Sequence, residues 1–427
     1  MSTKVSVAPS ASRLSRSLRD IGYSFESAVA DLIDNSIAAK ATQIDVDIFF
    51  EGRNSYLTIT DNGNGMNGEE LNEAMRFGTR RSYQRSDLGR YGLGLKTASL
   101  SQCRRVEVVS RKEEGKGESR VLDLDYLQST DQWSILDYTD EEETAEALER
   151  FAYPTGTVIT WRKLDRLLPV KSPESGWGRR RIENLGPRLE KYLSMVFHRF
   201  LSGEAFKQVT ISVNGKSLQP WDPFVRHEDE TSEFETNEFE LEHGDSLGTV
   251  TLRRFLLPQR DKFSSRQAFD DASGVDKWNK QQGLYIYRAD RLVQWGGWSG
   301  IRTIDEHLKL ARASLDFDTP LDEAFNINVA KMRVTLPSEL KKMLARPVNE
   351  LCIAADAAYR KGEARHVKHE PIEQMQKHDF GGYEAGQTIG LNLRAAAART
   401  GHAKALNEVF ELLKKEAPEV AEYLGFN

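Results

Sequence analysis

Apolar and polar residues alternate through QIDVDIFF, residues 43–50, the period of a strand with one buried face. SYLTIT, residues 55–60, predicts a second strand that ends directly at DNGNGM. Upstream, Leu32, Ile33 and Ile37 predict a helix with a core-facing side, capped by Ser24 and running to about Ala39. A short helix is expected from about Glu69 to Phe77. A long polar loop, GTRRSYQRSDLGRYGLGLK, then enters another helix near Leu93. RRVEVVSR, SRVLDLDY and GTVITWRKL complete a sheet with helices on one face, interrupted by an acidic, solvated excursion over residues 128–152.

Pro, Gly and Ser cluster in KSPESGWGRRR, which places a domain boundary at residues 171–181. A helix is expected from Ile182 to Leu201, then a hairpin turn at Asn214–Gly215. GTVTLRRFLLP and GLYIYRADRLVQ read as further strands, and the chain becomes helical after Pro337. PIEQMQKHDFGGYEAGQ reads as a linker. Leu406, Val409, Phe410 and Leu413 mark a last helix near residues 402–423. No internal repeat interrupts this order. The expected divisions are an N-terminal mobile arm at 1–20, a first α/β domain at 21–170, a second α/β domain at 180–345 and a helical region at 346–427.

Composition narrows the class only slightly. The 427 residues carry a net charge of −6, which gives no bulk reason to expect nucleic-acid binding. Cys103 and Cys352 are far apart and lack metal-ligand spacing, so a reducing cytoplasm fits and a disulfide framework does not. No apolar run reaches membrane-spanning length, and the first eighteen residues lack the apolar core of a signal peptide.

The candidate chemistry sits in three polar motifs. SAVADLIDNSIAA places Asp31 and Asn35 one turn apart on one helix face, with Asp34 on a neighbouring face. This is either a solvated face or a site, because polar groups beside apolar neighbours are costly unless used. DNGNGM puts Asp61 at a strand end, able to accept from an exocyclic amine. Gly63 and Gly65 there permit close backbone approach, though the motif is also an ordinary glycine turn. GRYGLGLK offers a glycine nest opening into a helix N-terminus, suited to phosphate, with Lys96 as a point charge. Neither a P-loop nor a dinucleotide fingerprint competes: GKGESR lacks the G-K-[ST] ending, and the glycine loop is not in a parallel βαβ unit.

The order of these motifs, closed by PTGTVITW at residues 154–161, resembles the GHKL ATPase superfamily of gyrase B, the ninety-kilodalton heat-shock chaperone, histidine kinases and MutL. The resemblance implies an α+β protein: a Bergerat-type ATP-binding sandwich, a transducer-like α/β domain and a C-terminal helical segment. It implies ATP and Mg²⁺ as cofactors. Asn35 would hold the metal and a phosphate oxygen, Asp61 would read the adenine amine, and Met66 would line the base pocket with Gly63 and Gly65. Gly89, Arg90, Tyr91, Gly92, Leu93, Gly94 and Lys96 would wrap the triphosphate, and Gly156 and Thr157 would close the adenine side.

Asp31 departs from the pattern. The relatives carry Glu there as general base, and Asp draws the carboxylate back by roughly 1.5 Å. A misplacement of about 1 Å can cost on the order of 10²-fold in rate. Slow hydrolysis by Asp31 and a gate that only binds ATP are therefore both open. FGTRRSYQRSDLGRYGLGLKTAS and GLYIYRADRLVQWGGW look most like the MORC ATPases and their bacterial relatives. NINVAKMRV is similar to the MutL transducer segment, with Lys331 as the residue that would reach the γ-phosphate, although its spacing departs by two residues. These likenesses imply an ATP-dependent homodimeric clamp in DNA-linked repair or defence, with DNA or a nuclease as partner and no membrane. The alternatives are a nucleotide-gated binding module and a chaperone-like ATPase. RRR at 179–181 and Arg80, Arg81 and Arg85 are either a nucleic-acid surface or solvated positions, and HEDET at His227 is a coincidental likeness to a phosphoacceptor motif.

Overall fold

A computed structural model of the chain describes residues 9–20, 22–78, 94–112, 117–151, 153–168, 171–244, 246–327, 334–369, 383–399 and 401–425. The chain forms two compact units, Met1–Lys361 and Gly362–Asn427.

The first unit opens with α1 (Ala11–Arg19), α2 (Phe25–Ala38), β1 (Gln43–Phe49), β2 (Tyr56–Asp61), α3 (Gly68–Met75) and α4 (Gly94–Gln102). It continues through β3 (Arg105–Arg111), β4 (Glu118–Asp123), α5 (Leu124–Thr130), β5 (Leu136–Asp137), α6 (Glu142–Arg150) and β6 (Gly156–Arg162). Three helices follow, α7 (Gly176–Glu183), α8 (Leu185–Val196) and α9 (His198–Ser202), and then β7 (Thr210–Val213) and β8 (Lys216–Ser217). These strands make one mixed sheet in the order β5-β4-β3-β6-β2-β1-β7-β8. The α+β class expected from the sequence is the class observed.

Local chemistry explains the elements nearest the site. Ser24 Oγ accepts from Ser27 N at 3.1 Å and starts α2. Asn67 and Glu70 make a reciprocal capping box at α3, at 2.9 and 3.0 Å. Ile44 and Val46 on β1 and Leu57 and Ile59 on β2 are buried at alternate positions, as the sequence pattern requires.

The structure departs from the sequence reading in several places. Where an arm was expected, Ala11–Arg19 is a helix capped by Ser10. Arg19 fastens it: Nε donates to Leu100 O at 2.7 Å, and Nη2 donates to Asp165 Oδ1 at 2.6 Å. The acidic excursion holds α5, β5 and α6. The single helix expected from Ile182 is three, beginning earlier because Ser175 caps α7 and ending at Gly203, which is left-handed at φ 82°. The Asn214–Gly215 turn is present with φ of 49° and 76°. However, its strands belong to the first sheet, with β7 parallel to β1 from Gln43↔Thr210 to Val46↔Val213. The first sheet therefore runs past the boundary expected at 171–181.

The rest of the unit is a second sheet built from β9 (Ser232–Glu233), β10 (Asn237–His243), β11 (Ser246–Leu256), β12 (Gly283–Arg288), β13 (Arg291–Gln294) and β14 (Ala311–Phe317). Between β11 and β12 lie α10 (Arg266–Ala272) and α11 (Trp278–Gln281), and α12 (Ser338–His369) follows the sheet. The main order is β10-β11-β14-β12-β13. GLYIYRADRLVQ is a hairpin of β12 and β13, turning on Ala289 and Asp290 at φ 45° and 65°. Every residue of β12 is buried, because its two faces serve different cores. Leu284 and Ile286 pack with α12 residues Leu340, Leu344 and Val348. Tyr285 and Tyr287 join the core of the first sheet. The helical region expected from residue 346 instead begins inside α12.

The second unit contains α13 (Tyr383–Arg399), α14 (Ala403–Glu416) and α15 (Pro418–Tyr423), packed around Phe410 and Ala421. The helix expected over 402–423 breaks before Pro418, which cannot continue the hydrogen-bond ladder. Part of the expected linker, residues 383–387, lies in α13, while residues 371–382 fall outside the described residues.

α9 joins the two sheets. His198 Nε2 lies 2.8 Å from Tyr287 Oη. Arg199 pairs with Asp316 and stacks 3.6 Å over the Tyr287 ring. Burial pulls the His198 pKa down to about 4, partly offset by Asp222 and reinforced by Arg199. Between about pH 6.5 and 4 the unfolded chain therefore holds a proton on this imidazole that the folded chain lacks, so folding weakens as pH falls through that window. His198→Gln keeps a hydrogen-bonding partner for Tyr287 and removes the titration. Urea unfolding from pH 7 to 4.5 is expected to show wild type losing more stability than H198Q.

Candidate functional site

α2 is almost wholly buried, including Asp31, Asp34 and Ser36, whereas Asn35 is half-exposed. Asp31, Asp34 and Ser36 each have a donor or acceptor from outside the helix. Tyr23 Oη donates to Asp31 Oδ2 at 3.0 Å. Burial first, and then the Asp31 charge, raise the Tyr23 pKa far above the ordinary value, so the phenol stays a donor. Asp34 is paired with Arg291 of β13 at 3.2 Å. Ser36 Oγ donates to Asp61 Oδ2 at 2.8 Å, which brings the first two sequence motifs together at one place.

Asp61 closes β2 and is buried. Its Oδ1 accepts from Gly63 N at 2.9 Å. Burial raises its pKa, opposed by the donors from Gly63, Ser36 and the Thr157 backbone. Two glycines here are required by space. A Cβ on Gly156, at φ 139°, would sit 1.9 Å from Asp61 O. A Cβ on Gly65, at φ 65°, would sit 1.9 Å from Arg111 O. Thr155 Oγ1 donates to Gly63 O at 2.8 Å, tying the last motif to the second.

Ser110 on β3 fixes the wall beside Asp61. Its Oγ accepts from Met66 N at 2.8 Å, donates to Gly156 O at 3.0 Å and lies 2.9 Å from Thr157 Oγ1. Met66 packs half-buried against the first core. Asp61, Gly63, Gly65, Met66, Gly156 and Thr157 are therefore neighbours, as the motif order required.

α4 begins at Gly94 directly over Asp31: a Cβ there would lie 2.4 Å from Asp31 Oδ2. Only a residue without a side chain lets this helix start so close to the carboxylate. Lys96 is buried, and its Nζ donates to Ala74 O at the end of α3, at 2.8 Å. Burial lowers its pKa to about 8, opposed by Glu73. The ammonium is thus turned toward α3 in this structure, where the sequence expected it at the phosphates. Gly89, Arg90, Tyr91, Gly92, Leu93 and Lys331 lie outside the described residues.

The arrangement offers an acceptor for an amine at Asp61, an oriented carboxylate at Asp31 and an amide at Asn35, one turn away. Among the described residues, no hydrogen bond engages the Asn35 side chain, and no cluster of three or more His, Cys, Asp or Glu is arranged to hold a metal ion. A hard cation that keeps waters and takes few protein ligands fits such a donor set. Sequence reasoning missed Tyr23, Ser36, Ser110 and Arg291. Tyr23 and Ser36 flank the residues it chose, but nothing in the chain order brings Ser110 or Arg291 to the site. Ser110→Ala leaves the Met66 amide without its acceptor. It is expected to cost about 1–3 kcal/mol of stability, read as a lower urea midpoint.

Comparison with known proteins agrees with this geometry. Residues 23–155 match the family model described as "Histidine kinase-, DNA gyrase B-, and HSP90-like ATPase". The chain is 34% identical over 120 residues to Protein MICRORCHIDIA 7 of Arabidopsis thaliana, covering 26% of this chain and 17% of that protein. It is 35% identical over 89 residues to ATPase morc-1 of Caenorhabditis elegans, covering 20% and 10% respectively. Protein MICRORCHIDIA 5 of Arabidopsis thaliana is 27% identical over 162 residues, covering 31% and 22%. The match spans less than a quarter of the length of each of these relatives. The helix of Asp31 and Asn35, the strand end of Asp61, and Gly63 and Gly65 fall inside the matched segment, so the chain carries a GHKL-superfamily ATPase domain over residues 23–155 and has relatives among the MORC proteins.

Proposed function

We propose that this chain is a magnesium-dependent ATPase of slow turnover that works as an ATP-gated dimeric clamp. The observation that supports the reading is the 2.8 Å hydrogen bond from Ser36 to Asp61, which holds the Asp61 carboxylate beside the helix of Asp31 and Asn35. Asp61, held by Ser36 and Gly63, accepts from the adenine amine. Asn35 would hold Mg²⁺ through its carbonyl oxygen and would donate from its amide nitrogen to a phosphate oxygen. Magnesium bound there supplies charge neutralisation at the phosphate oxygens. Asp31, oriented by Tyr23, takes the proton of the attacking water. For Lys96, a phosphate oxygen is a stronger acceptor than the Ala74 carbonyl, which gives the start of α4 a reason to move when nucleotide enters.

Closure around nucleotide can shift the population of clamped dimers only by the differential affinity of ATP for that state. The relative named as an ATPase supports turnover. The short carboxylate at Asp31 favours the second reading, a gate that binds without useful hydrolysis. Duplex DNA is the client we propose. Arg179, Arg180 and Arg181 are exposed on α7 beside Trp177, which is 51% exposed, a basic and aromatic surface suited to phosphate backbone.

Phosphate release with and without duplex DNA, beside nucleotide titration, tests the reading. Asp31→Asn is expected to keep ATP affinity within about threefold and lower release on the order of 10²-fold. Asp61→Asn offers one acceptor oxygen where Asp offers two, and is expected to weaken ATP binding by about tenfold or more. Release that survives D31N removes Asp31 as base, and binding without release in wild type selects the gate. Light scattering with a non-hydrolysable ATP analogue is expected to show twice the monomer mass. An unchanged monomer at saturating analogue counts against the clamp.

A further inference from the structure

Asp34 is 0% exposed and Arg291 is 3% exposed, so their contact is shielded from solvent. Arg291 Nε lies 3.2 Å from both Asp34 oxygens, and its Nη1 donates to the Leu292 carbonyl at 3.2 Å. Asp34 belongs to α2, one turn from the catalytic carboxylate, whereas Arg291 begins β13 of the second sheet. A buried pair of this kind is weak evidence for stability, since well-packed apolar residues often serve equally well. It is specific evidence for a fixed geometry between the two elements that carry it.

Resting on the ATPase reading above, we infer that Arg291 is a positioning residue for hydrolysis, through which the second sheet sets the placement and electrostatic environment of Asp31. The guanidinium is held on Asp34, one turn from Asp31, and Tyr23 donates to Asp31 from the segment before the helix. The other titratable groups around this place are Tyr192 on α8 and Glu26 on α2, the latter paired with Arg188 at 2.6 Å. Any shift of β13 relative to α2 therefore changes the positive field at Asp31 and strains the helix that carries it. The described geometry links the state of the second sheet to the base without requiring a residue of that sheet to touch nucleotide.

The test is the pH profile of kcat for phosphate release, with ATP affinity measured alongside. Arg291→Gln leaves Asp34 an amide donor but removes the cation. It is expected to lower kcat about tenfold or more, to leave ATP affinity within about threefold, and to move the acid limb of kcat upward by roughly half a pH unit or more, because a carboxylate losing a nearby cation becomes a weaker acid. Arg291→Lys restores the charge and is expected to return the limb toward wild type. The double variant Asp34→Asn/Arg291→Gln removes both charges and avoids an unpaired buried carboxylate. Its kcat is expected to stay low while its acid limb returns toward wild type. R291Q with a lower melting temperature but a superimposable kcat profile overturns the inference, as does a folded double variant with wild-type kcat. Wild type that binds no ATP, or binds it without release, sinks the enzyme reading and this inference together; an active wild type with an indifferent R291Q sinks this inference alone.

Discussion

A carboxylate removed from water must be given partners, and α2 buries Asp31 and Asp34 besides Glu26, which pairs with Arg188. Asp31 and Asp34 lie within one helical turn, in a helix that otherwise packs Ala28, Val29, Leu32 and Ile33 into the core. Leaving either charge uncompensated would cost several kcal/mol. The fold answers with a phenol from the segment before the helix and a guanidinium from the other sheet. Much of the tertiary arrangement follows: β13 must reach α2, α8 must lie alongside both, and the two sheets must share a core. That shared core includes Tyr285, Tyr287 and Leu292 with Val29 and Ile33.

The strand-end motifs obey a different constraint, which is space. Asp61 is held by donors from Ser36 and Gly63, and neighbouring backbone comes so near that Gly65 and Gly156 have no room for a side chain. Close backbone approach is what allows Ser110 to reach Met66, Gly156 and Thr157 with a single hydroxyl. In the proposed function, a wall fixed in this way needs little rearrangement to meet a flat, amine-bearing ring. The movement proposed on nucleotide entry falls instead on the start of α4, where Lys96 donates to the Ala74 carbonyl, a weaker acceptor than phosphate.

The local part of this design was legible in the chain. Alternation identified β1 and β2, Ser24 marked the start of α2, and the order of motifs put the strand end of Asp61 beside α2, where Ser36 meets it. Those signals are short-range, and they succeeded because capping, pleat and helical period act within a few residues. What was missed is long-range. Nothing near Asp34 announces Arg291, and nothing near Gly156 announces Ser110, because each partner is chosen by the packing of whole sheets. The boundary near residue 175 failed for a related reason. Pro, Gly and Ser there do make a turn, but the turn leads into helices that return the chain to the same sheet.

That return has a cost during synthesis. β1 pairs on one side with β2, which leaves the ribosome almost at once, and on the other with β7, made only after the eleven elements from α3 to α9 have emerged. Until Thr210 arrives opposite Gln43, the nascent chain presents an open row of amide and carbonyl groups. Parallel pairing across such a separation is slow to form. The first sheet and the helices that lead back to it therefore have to be inherited as a single stretch, since an exchange of segments between them would strand a bare edge.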